Sequence, residues 1–401
     1  MIMSILITNA KNRIAYAVTR SLAAKGVEVI TADSVRTAMS FYSRHSSRHF
    51  IYPAPFQHEQ EFIKSLIDNC IKFKPEVLIP VYEETFLIAK HKKVLQDYVN
   101  ILVPDYEQIL MVHNKARLYE TCAQLGIPVP KSSRVPDLQT DLSLLELFKF
   151  PVLLKPNQGG GAWGIEMVEG RDELLNILVQ GNFPHGLPGE RFLVQEKIAG
   201  TVSCCGMLMY EGKYQAGHCY RQLRETPITG GTATYRESIL NPQLISQLRK
   251  LLEHLHWNGP CHADFMVEEE TGISYLIDVN PRLWGSLFQG IIAGVDFPFL
   301  IYKLAKGEEI NPPPIEYDTT FRSRWLWGDA KCFLEYLSKP ESRGKMRLKD
   351  FFVFRSTDRY DDFQLSDPLP FFAWLADYLH KSLKQRTLSP TPHDTLAGIW
   401  E

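Results

Sequence analysis

The residues with most chemical content lie between Cys261 and Ser286, in the run CHADFMVEEETGISYLIDVNPRLWGS. It reads as two short strands joined by a tight turn at Glu270-Thr271-Gly272. A three-residue loop centred on Thr271 sets Asp264 directly opposite Asp278. Asn280, two residues further on, shares their face. Carboxylates that face each other across a ladder repel, because their Cβ atoms are only about 5 Å apart. A bridging cation turns that repulsion into attraction. Two aspartates and an asparagine carbonyl are hard oxygen ligands, of the kind Mg²⁺ or Mn²⁺ takes. Arg282 follows on the same face and offers a guanidinium to a phosphate or carboxylate. The hairpin is therefore expected to be a metal–phosphate site. Singly, each residue reads as part of a strand that ends in an Asn-Pro turn; the set on one face does not. Register is the sensitive point, since a two-residue turn sends Asp264 to the opposite face from Asp278.

A second group precedes the hairpin. Gly159, Gly160, Gly161 and Gly164 lie between two predicted strands, PVLLKP and IEMV. Glycines reach positive φ, which lets successive backbone N–H groups converge on an anion. Strand–loop–strand is not the setting of a Walker A loop, and a glycine run alone equally suits a hairpin turn. Lys155 ends the strand before this loop, and Lys115 lies in an earlier helix. Both are point charges suited to phosphates, and each alone equally suits a solvated surface. The segment CYRQLRETPITGGTATYRES reads as a loop near the hairpin. Its Arg221 and Arg224 are candidates to clamp a substrate carboxylate, with Arg236 a further one; ordinary salt bridges are the alternative. His218 and His262 read as locally hydrogen-bonded, His262 on the metal side. Glu83 and Glu84 follow the strand EVLIP at its carboxyl end, where α/β sites open. An acid pair at a helix N-terminus is the simpler reading of them.

The elements that hold these residues follow the apolar pattern. SILIT (4–8), VEVITAD (27–33), EVLIP (76–80) and NILVP (100–104) alternate with amphipathic helices, as in an open α/β domain with parallel strands. The loop TNAKNR after the first strand lacks GxGxxG, so no dinucleotide site is supported there, and Asp33 reads as a plain strand-end acid. A helix over 113–125 leads into extended GIPVPKS, and RFLVQEKI is a strand ending in a linker. SCCGMLMY and KYQAGHCY pair around Glu211-Gly212, and NPQLISQLRKLLEHL is a helix. Residues past about 310 read as an appendix. With 401 residues, 45% hydrophobic and 22% charged, the chain suits two or three soluble globular domains. A net charge of −2 gives no global basic field for nucleic acid or anionic membrane. No run approaches the ~18 apolar residues of a spanning helix, and the N-terminus lacks the pattern of a signal or anchor. Seven cysteines without CxxC spacing argue against a disulfide framework, and Cys204-Cys205 read as small buried strand residues. A reducing cytoplasm is the expected setting.

In order, NKARLYETCAQLGIPVPKS, PVLLKPNQGGGAWGIEMV, FLVQEKIAG and CHADFMVEEETGISYLIDVNPR resemble the motifs of the ATP-grasp superfamily. The style is that of the carbamoyl-phosphate synthase large-subunit and biotin carboxylase-like branch, which includes many carboxylate–amine ligases. The resemblance spans about 110 to 305. It implies a parallel α/β pre-ATP-grasp domain (1–112) and a two-lobed α+β ATP-grasp module. The small lobe with its glycine-rich lid is 113–190, the catalytic lobe with the metal hairpin is 191–308, and a mixed extension is 309–401. It further implies that Lys115 and Lys155 contact ATP phosphates under a lid running from Gly159 to Gly164. Glu196, Lys197 and Ile198 match the linker that holds adenine. Asp264, Asp278 and Asn280 match the ligands of one or two Mg²⁺ ions, with Mn²⁺ as a substitute. Arg282 matches the arginine that steadies the transferred phosphate. Both metal-position acids are Asp where the family often has Glu. Thr201, Val202 and Ser203 occupy the zone of a ribose-binding acid, which leaves Ser203 as the candidate there. The implied reaction joins a small-molecule carboxylate to an amine through an acyl phosphate, releasing ADP and phosphate. Bicarbonate or carbamate activation and a non-catalytic ATP-binding protein are the alternatives. A homodimer is the family-level expectation.

Overall fold

The protein is described by a computed structural model over residues 3–159, 164–228, 230–311, 316–339 and 347–385. Its first sheet holds β1 (Ser4–Ile7), β2 (Glu28–Asp33), β3 (Arg48–Ile51), β4 (Val77–Ile79) and β5 (Asn100–Ile101). All its pairings are parallel, in the order β3-β2-β1-β4-β5. β1 and β4 are buried along their whole length, as strands covered on both faces must be. The strand order reverses at β1, so the loops after β1 and β4 flank the crevice where open α/β sheets bind ligands. Asp33 is fully buried at the end of β2 and accepts the Lys11 N–H at 2.7 Å and the Val35 N–H at 3.1 Å. It ties down the loop after β1.

A smaller antiparallel sheet follows, built from β6 (Ser132–Arg134), β7 (Val152–Pro156), β8 (Glu166–Val168) and β9 (Phe192–Glu196) in the order β6-β9-β7-β8. Phe192–Glu196, expected with the larger lobe, is instead a central strand here, pairing with both β6 and β7. Val152, Leu154, Val168 and Val194 form this lobe's own core with Leu174 and Leu178 of the helix Arg171–Gln180.

The third sheet runs β14-β13-β10-β11-β12-β15-β16. Its strands are β10 (Gly200–Tyr210), β11 (Lys213–Thr226), β12 (Thr232–Ile239), β13 (Gly259–Glu268), β14 (Ser274–Asn280), β15 (Arg322–Arg324) and β16 (Asp358–Tyr360). Glu211 (φ 49°) and Gly212 (φ 74°) make the expected tight turn between β10 and β11. The arginine-rich segment read as a loop is instead the far half of β11 and most of β12. One face of the sheet packs Cys205, Cys219, Cys261, Ala263 and Phe265 against Leu244, Leu248, Leu251 and Leu252 of the helix Pro242–His254. The other packs Cys204, Leu208, Tyr220 and Trp284 against Ile14, Val18 and Leu22 of the helix Arg13–Ala23. The first domain thus sits on one face of the large sheet. All seven cysteines are free and buried. No helix among the described residues is long and apolar enough to cross a membrane.

The residues past 310 are not an appendix. β15 pairs with β12 and β16 pairs with β15, so they complete the large sheet. They also supply carboxylates to buried arginines. Arg236 is fully buried, ion-pairs with Asp361, and donates to Ser323 Oγ at 2.6 Å and Ala233 O at 2.9 Å. Arg13 stacks over Trp325 at 4.1 Å with its Nε 3.5 Å from Asp361. Breaking one partner of a buried pair leaves a stranded charge, at about 3–5 kcal/mol. Arg236→Ala is therefore expected to destabilise the fold by that order, read as a lower urea midpoint. An unchanged midpoint would mean that the C-terminal segment is merely laid against the sheet.

Candidate functional site

The hairpin puts Asp264 directly opposite Asp278, as expected, but by a different route. Glu268 N–H bonds to Ile273 O, so the loop is four residues, 269–272, and not three. Phe265 then faces Leu276, Met266 faces Tyr275, and Val267 faces Ser274. That register alone would bring Ile277 opposite Asp264. The register shifts between Asp264 and Phe265, which leaves Ile277 as the extra residue of a bulge and restores the Asp264–Asp278 pair. The displaced Ile277 carbonyl accepts Lys155 Nζ at 2.9 Å and Tyr119 Oη at 2.8 Å.

Around this pair the charges converge. Lys115 Nζ lies 3.3 Å from Asp278 Oδ1 and donates to Gly159 O at 2.7 Å. Both lysines are buried, Lys115 at 3% and Lys155 at 7% exposure. Burial pushes Lys155 below its ordinary value, while Asp278 and Asp264 oppose the shift. Burial pushes Asp278 up, but Lys115, Lys155 and His113 together hold it below the usual carboxylate range. Asp264 accepts Cys204 Sγ at 3.0 Å on one oxygen and Asn280 Nδ2 at 3.3 Å on the other. Asp264, Asp278, Asn280, Lys115 and Lys155 therefore form one cluster of alternating charge.

Tyr119 organises the cluster and was missed from sequence. Its hydroxyl donates to Ile277 O and accepts Lys155 Nζ at 3.3 Å and Gln195 Nε2 at 3.0 Å. The available signal was its spacing: Tyr119 is four residues after Lys115 on the helix Lys115–Gln124, so the two share a face.

The other candidates divide. Arg282 lies over Tyr82 at 4.4 Å, and its Nε and Nη2 reach Glu83 Oε1 at 3.1 and 2.9 Å. Glu83 is thus the arginine's anchor, and Tyr82, at φ 61°, sits at the turn that carries it. Gly159 and Gly164 adopt φ 111° and 72°, conformations that favour glycine. Gly160 and Gly161 lie outside the described residues. Glu196 pairs with Lys131 through its backbone N–H and accepts the Lys131 N–H on Oε1 at 2.7 Å, holding the strand end beside Lys197 and Ile198. Lys197 Nζ reaches Met167 Sδ at 3.1 Å, across to β8.

Three expected contacts are not made. Ser203 is 3% exposed and faces Phe265 and Arg221, on the opposite side of the sheet from Cys204 and Asp264. Arg221 lies on that same far face and ion-pairs with Glu237. Arg224 is buried, with its Nε and Nη2 on the two oxygens of Asp329 at 2.6 and 2.7 Å. Neither arginine is free to clamp a substrate carboxylate at the acids. His218 is buried on Ser238 Oγ at 2.9 Å, and burial pushes it down to about 3.

The middle of the chain is thus a two-lobed antiparallel module, with the paired acids on one lobe and the β7–β8 strand pair on the other. Residues 112–286 match the ATP-grasp domain family. D-aspartate ligase of Enterococcus faecium is 24% identical over 280 residues, covering 64% of this chain and 65% of that one. This chain thus spans just under two thirds of that relative's length. Biotin carboxylase of Campylobacter jejuni, in a complex with β,γ-ATP, superposes with a TM-score of 0.63 at 17% identity, covering 80% of this chain and 74% of that one. L-amino acid ligase of Bacillus licheniformis gives a TM-score of 0.58 at 16% identity, with 80% and 78% covered.

Beside Glu83, Glu84 is buried in the crevice of the first domain, accepting Tyr52 Oη at 2.8 Å and Asn9 Nδ2 at 3.0 Å. Burial, then Asp33, raises it from 4.5 to about 7. The folded state therefore binds this proton more tightly than the unfolded chain, so its stabilising effect is complete below 4.5 and is lost as pH rises to about 7. Glu225 and Asp362 shift the same way through burial. Glu84→Gln is expected to reduce the fall in stability across that window, measured as urea midpoints on either side of it. A slope equal to that of the unmodified protein would show that Glu84 is ionised throughout.

Proposed function

We propose that the protein is an ATP- and Mg²⁺-dependent carboxylate–amine ligase that works through an acyl phosphate. The observation that carries this reading is the facing pair Asp264 and Asp278, with Asn280 on the same face and two buried lysines closing on Asp278. The similarity to a D-aspartate ligase supports it.

The residues fit a divalent ion. Two carboxylates held opposite each other on a ladder are stable only with compensating positive charge. Lys115 lies 3.3 Å from Asp278, and Lys155 and His113 add positive charge to it. Asp264, Asp278 and Asn280 would hold one or two ions, which would supply positive charge to the phosphates. Lys155 and Lys115 then meet phosphate oxygens, and their burial strengthens each contact. Glu196, Lys197 and Ile198 would line the adenine. Arg282, held by Glu83, faces the transferred group. A carboxylate oxygen of the substrate attacks the γ-phosphorus and ADP leaves. The amine then attacks the acyl carbon, phosphate leaves, and the amine gives up a proton. Excluding water protects the acyl phosphate from hydrolysis. No nucleophilic side chain is needed, because positioning and charge carry phosphoryl transfer.

The substrates are named by a hydroxamate assay. Protein, Mg-ATP and hydroxylamine are mixed with a panel of amino and organic acids, hydroxylamine standing in for the amine. Hydroxamate that depends on one acid, with ADP in equal amount, is the expected result. ADP formed with bicarbonate and no hydroxamate would favour bicarbonate activation instead. The metal assignment has its own check. Asp264→Asn/Asp278→Asn is expected to abolish ADP formation while leaving the circular dichroism spectrum unchanged. Turnover that survives in a folded double variant would remove these residues from the mechanism.

A further inference from the structure

The face that carries Asp264 holds two further ligand groups, Cys204 and His262, that phosphoryl transfer does not use. Cys204 lies directly opposite Asp264 across β10 and β13, and His262 precedes Asp264 by two residues on the same strand, so all three point to one side. The Cys204 sulfur, a His262 ring nitrogen and an Asp264 oxygen lie within 4.8 Å of one another. We propose that Cys204, His262 and Asp264 form a site for a thiophilic divalent cation such as Zn²⁺, sharing Asp264 with the acid pair.

The donor chemistry separates this set from its neighbour. Sulfur, imidazole nitrogen and a single carboxylate are the ligands Zn²⁺ takes, three from the protein with a fourth position open to water. Mg²⁺ has no use for sulfur or nitrogen when oxygens are adjacent. The outer partners of such a site are also in place. Gln222 Nε2 donates to the Cys204 sulfur at 3.6 Å. Tyr220 Oη bonds His262 Nε2 at 2.8 Å, which leaves Nδ1 on the side of Asn280 at 3.5 Å. Holding one ring nitrogen so that the other faces the metal is how outer contacts orient a histidine ligand. Trp284 stacks on His262 at 5.4 Å and fixes the ring plane. The Trp284 ring has room because Gly206, opposite His262, has no side chain; a Cβ there would meet the ring at 2.0 Å. Cys204 and His262 are buried and Asp264 is half-buried, so the ion enters past Asp264 from the acid cluster.

On binding, the Cys204 thiol loses its proton to solvent and a metal–sulfur bond forms, with no change of oxidation state. Asp264 is then committed to the soft ion. Binding is independent of the ligase reading; inhibition of turnover rests on it.

The test uses the full chain stripped of metal by a chelator. Co²⁺ is added first, and a thiolate-to-cobalt charge-transfer absorption is expected, lost again when Zn²⁺ displaces it. Cys204→Ser is expected to remove that absorption and to weaken Zn²⁺ by more than about tenfold, on the scale of lost metal-site contacts. His262→Gln is expected to weaken Zn²⁺ while keeping the absorption. Absence of the absorption in the unmodified chain, or its persistence in Cys204→Ser, would overturn the proposal. If Cys204→Ser does not fold, His262→Gln decides, since Zn²⁺ affinity equal to that of the unmodified chain would also overturn it. If turnover is present, Zn²⁺ is expected to inhibit it in the presence of Mg²⁺, and Cys204→Ser to relieve that inhibition relative to its own zinc-free rate. A chain without ligase activity that still shows the cobalt absorption would remove the ligase reading and keep the metal site.

Discussion

One extra residue in one strand governs the geometry of the cluster. Without the bulge at Ile277, the four-residue loop would pair Asp264 with Ile277, and Asp278 would face the other side. The bulge restores the acid pair and also leaves a carbonyl outside the ladder. That carbonyl is satisfied by Lys155 and Tyr119, so the defect in the ladder becomes the anchor of a buried lysine. Lys155 belongs to the small lobe's β7 and Tyr119 to the helix beneath the large sheet. The same carbonyl therefore also joins the two lobes. A buried ammonium is costly unless its donors are met, and here the acceptor is a backbone group that a regular ladder would have used.

Charge is handled by a different device further out on the same sheet. Arg224, Arg236 and Arg324 are each buried and paired with Asp329, Asp361 or Asp358, all from the C-terminal segment. Such pairs contribute little net stability against apolar substitutes, yet losing one partner is expensive. Their effect is to make the last strands obligatory. β12 cannot be left as an edge, because its Arg236 would be stranded; β15 and β16 cover the edge, and Asp361 just beyond β16 neutralises the charge.

Much of this was legible in the sequence, and the limits have physical causes. The parallel α/β start and the β10–β11 turn follow from alternation and from turn residues, and both formed as read. The face shared by Asp264, Asp278 and Asn280 was also read correctly, though from a loop one residue too short and without the bulge; the two offsets cancel. A bulge leaves no composition mark in a strand as ordinary as SYLIDVN. The errors at Arg221 and Arg224 have another origin. Arginine beside Gly and Thr reads as an exposed loop because its partners, half-buried Glu237 and buried Asp329, are 16 and 105 residues away. Long-range neutralisation turned a polar stretch into two strands, and no local pattern carries that information. Ser203 failed for a simpler reason: strand alternation fixes its face opposite to Cys204, and that alternation was not followed through β10.

The first domain's place on the large sheet follows from the same electrostatics. The face carrying Asp264 also presents Arg236 and Arg282, which an apolar helix could not cover. The first domain covers it with matched groups: Glu83 takes Arg282, and Arg13 adds to Asp361 while its helix packs Ile14, Val18 and Leu22 onto the apolar remainder. Glu83 and Arg13 stand where the loops after β4 and β1 enter their helices, on either side of the strand-order reversal. The crevice that open α/β sheets use for ligands is therefore pressed against the acid side of the ATP-grasp sheet. A group seated there meets an arginine already held in position. On the reading proposed above, selection of that group comes from the residues of these two loops as much as from the hairpin, whose own side chains would meet phosphate and ion. On that same reading, two loops that vary while the hairpin is kept would change what is joined without changing how the phosphate is moved.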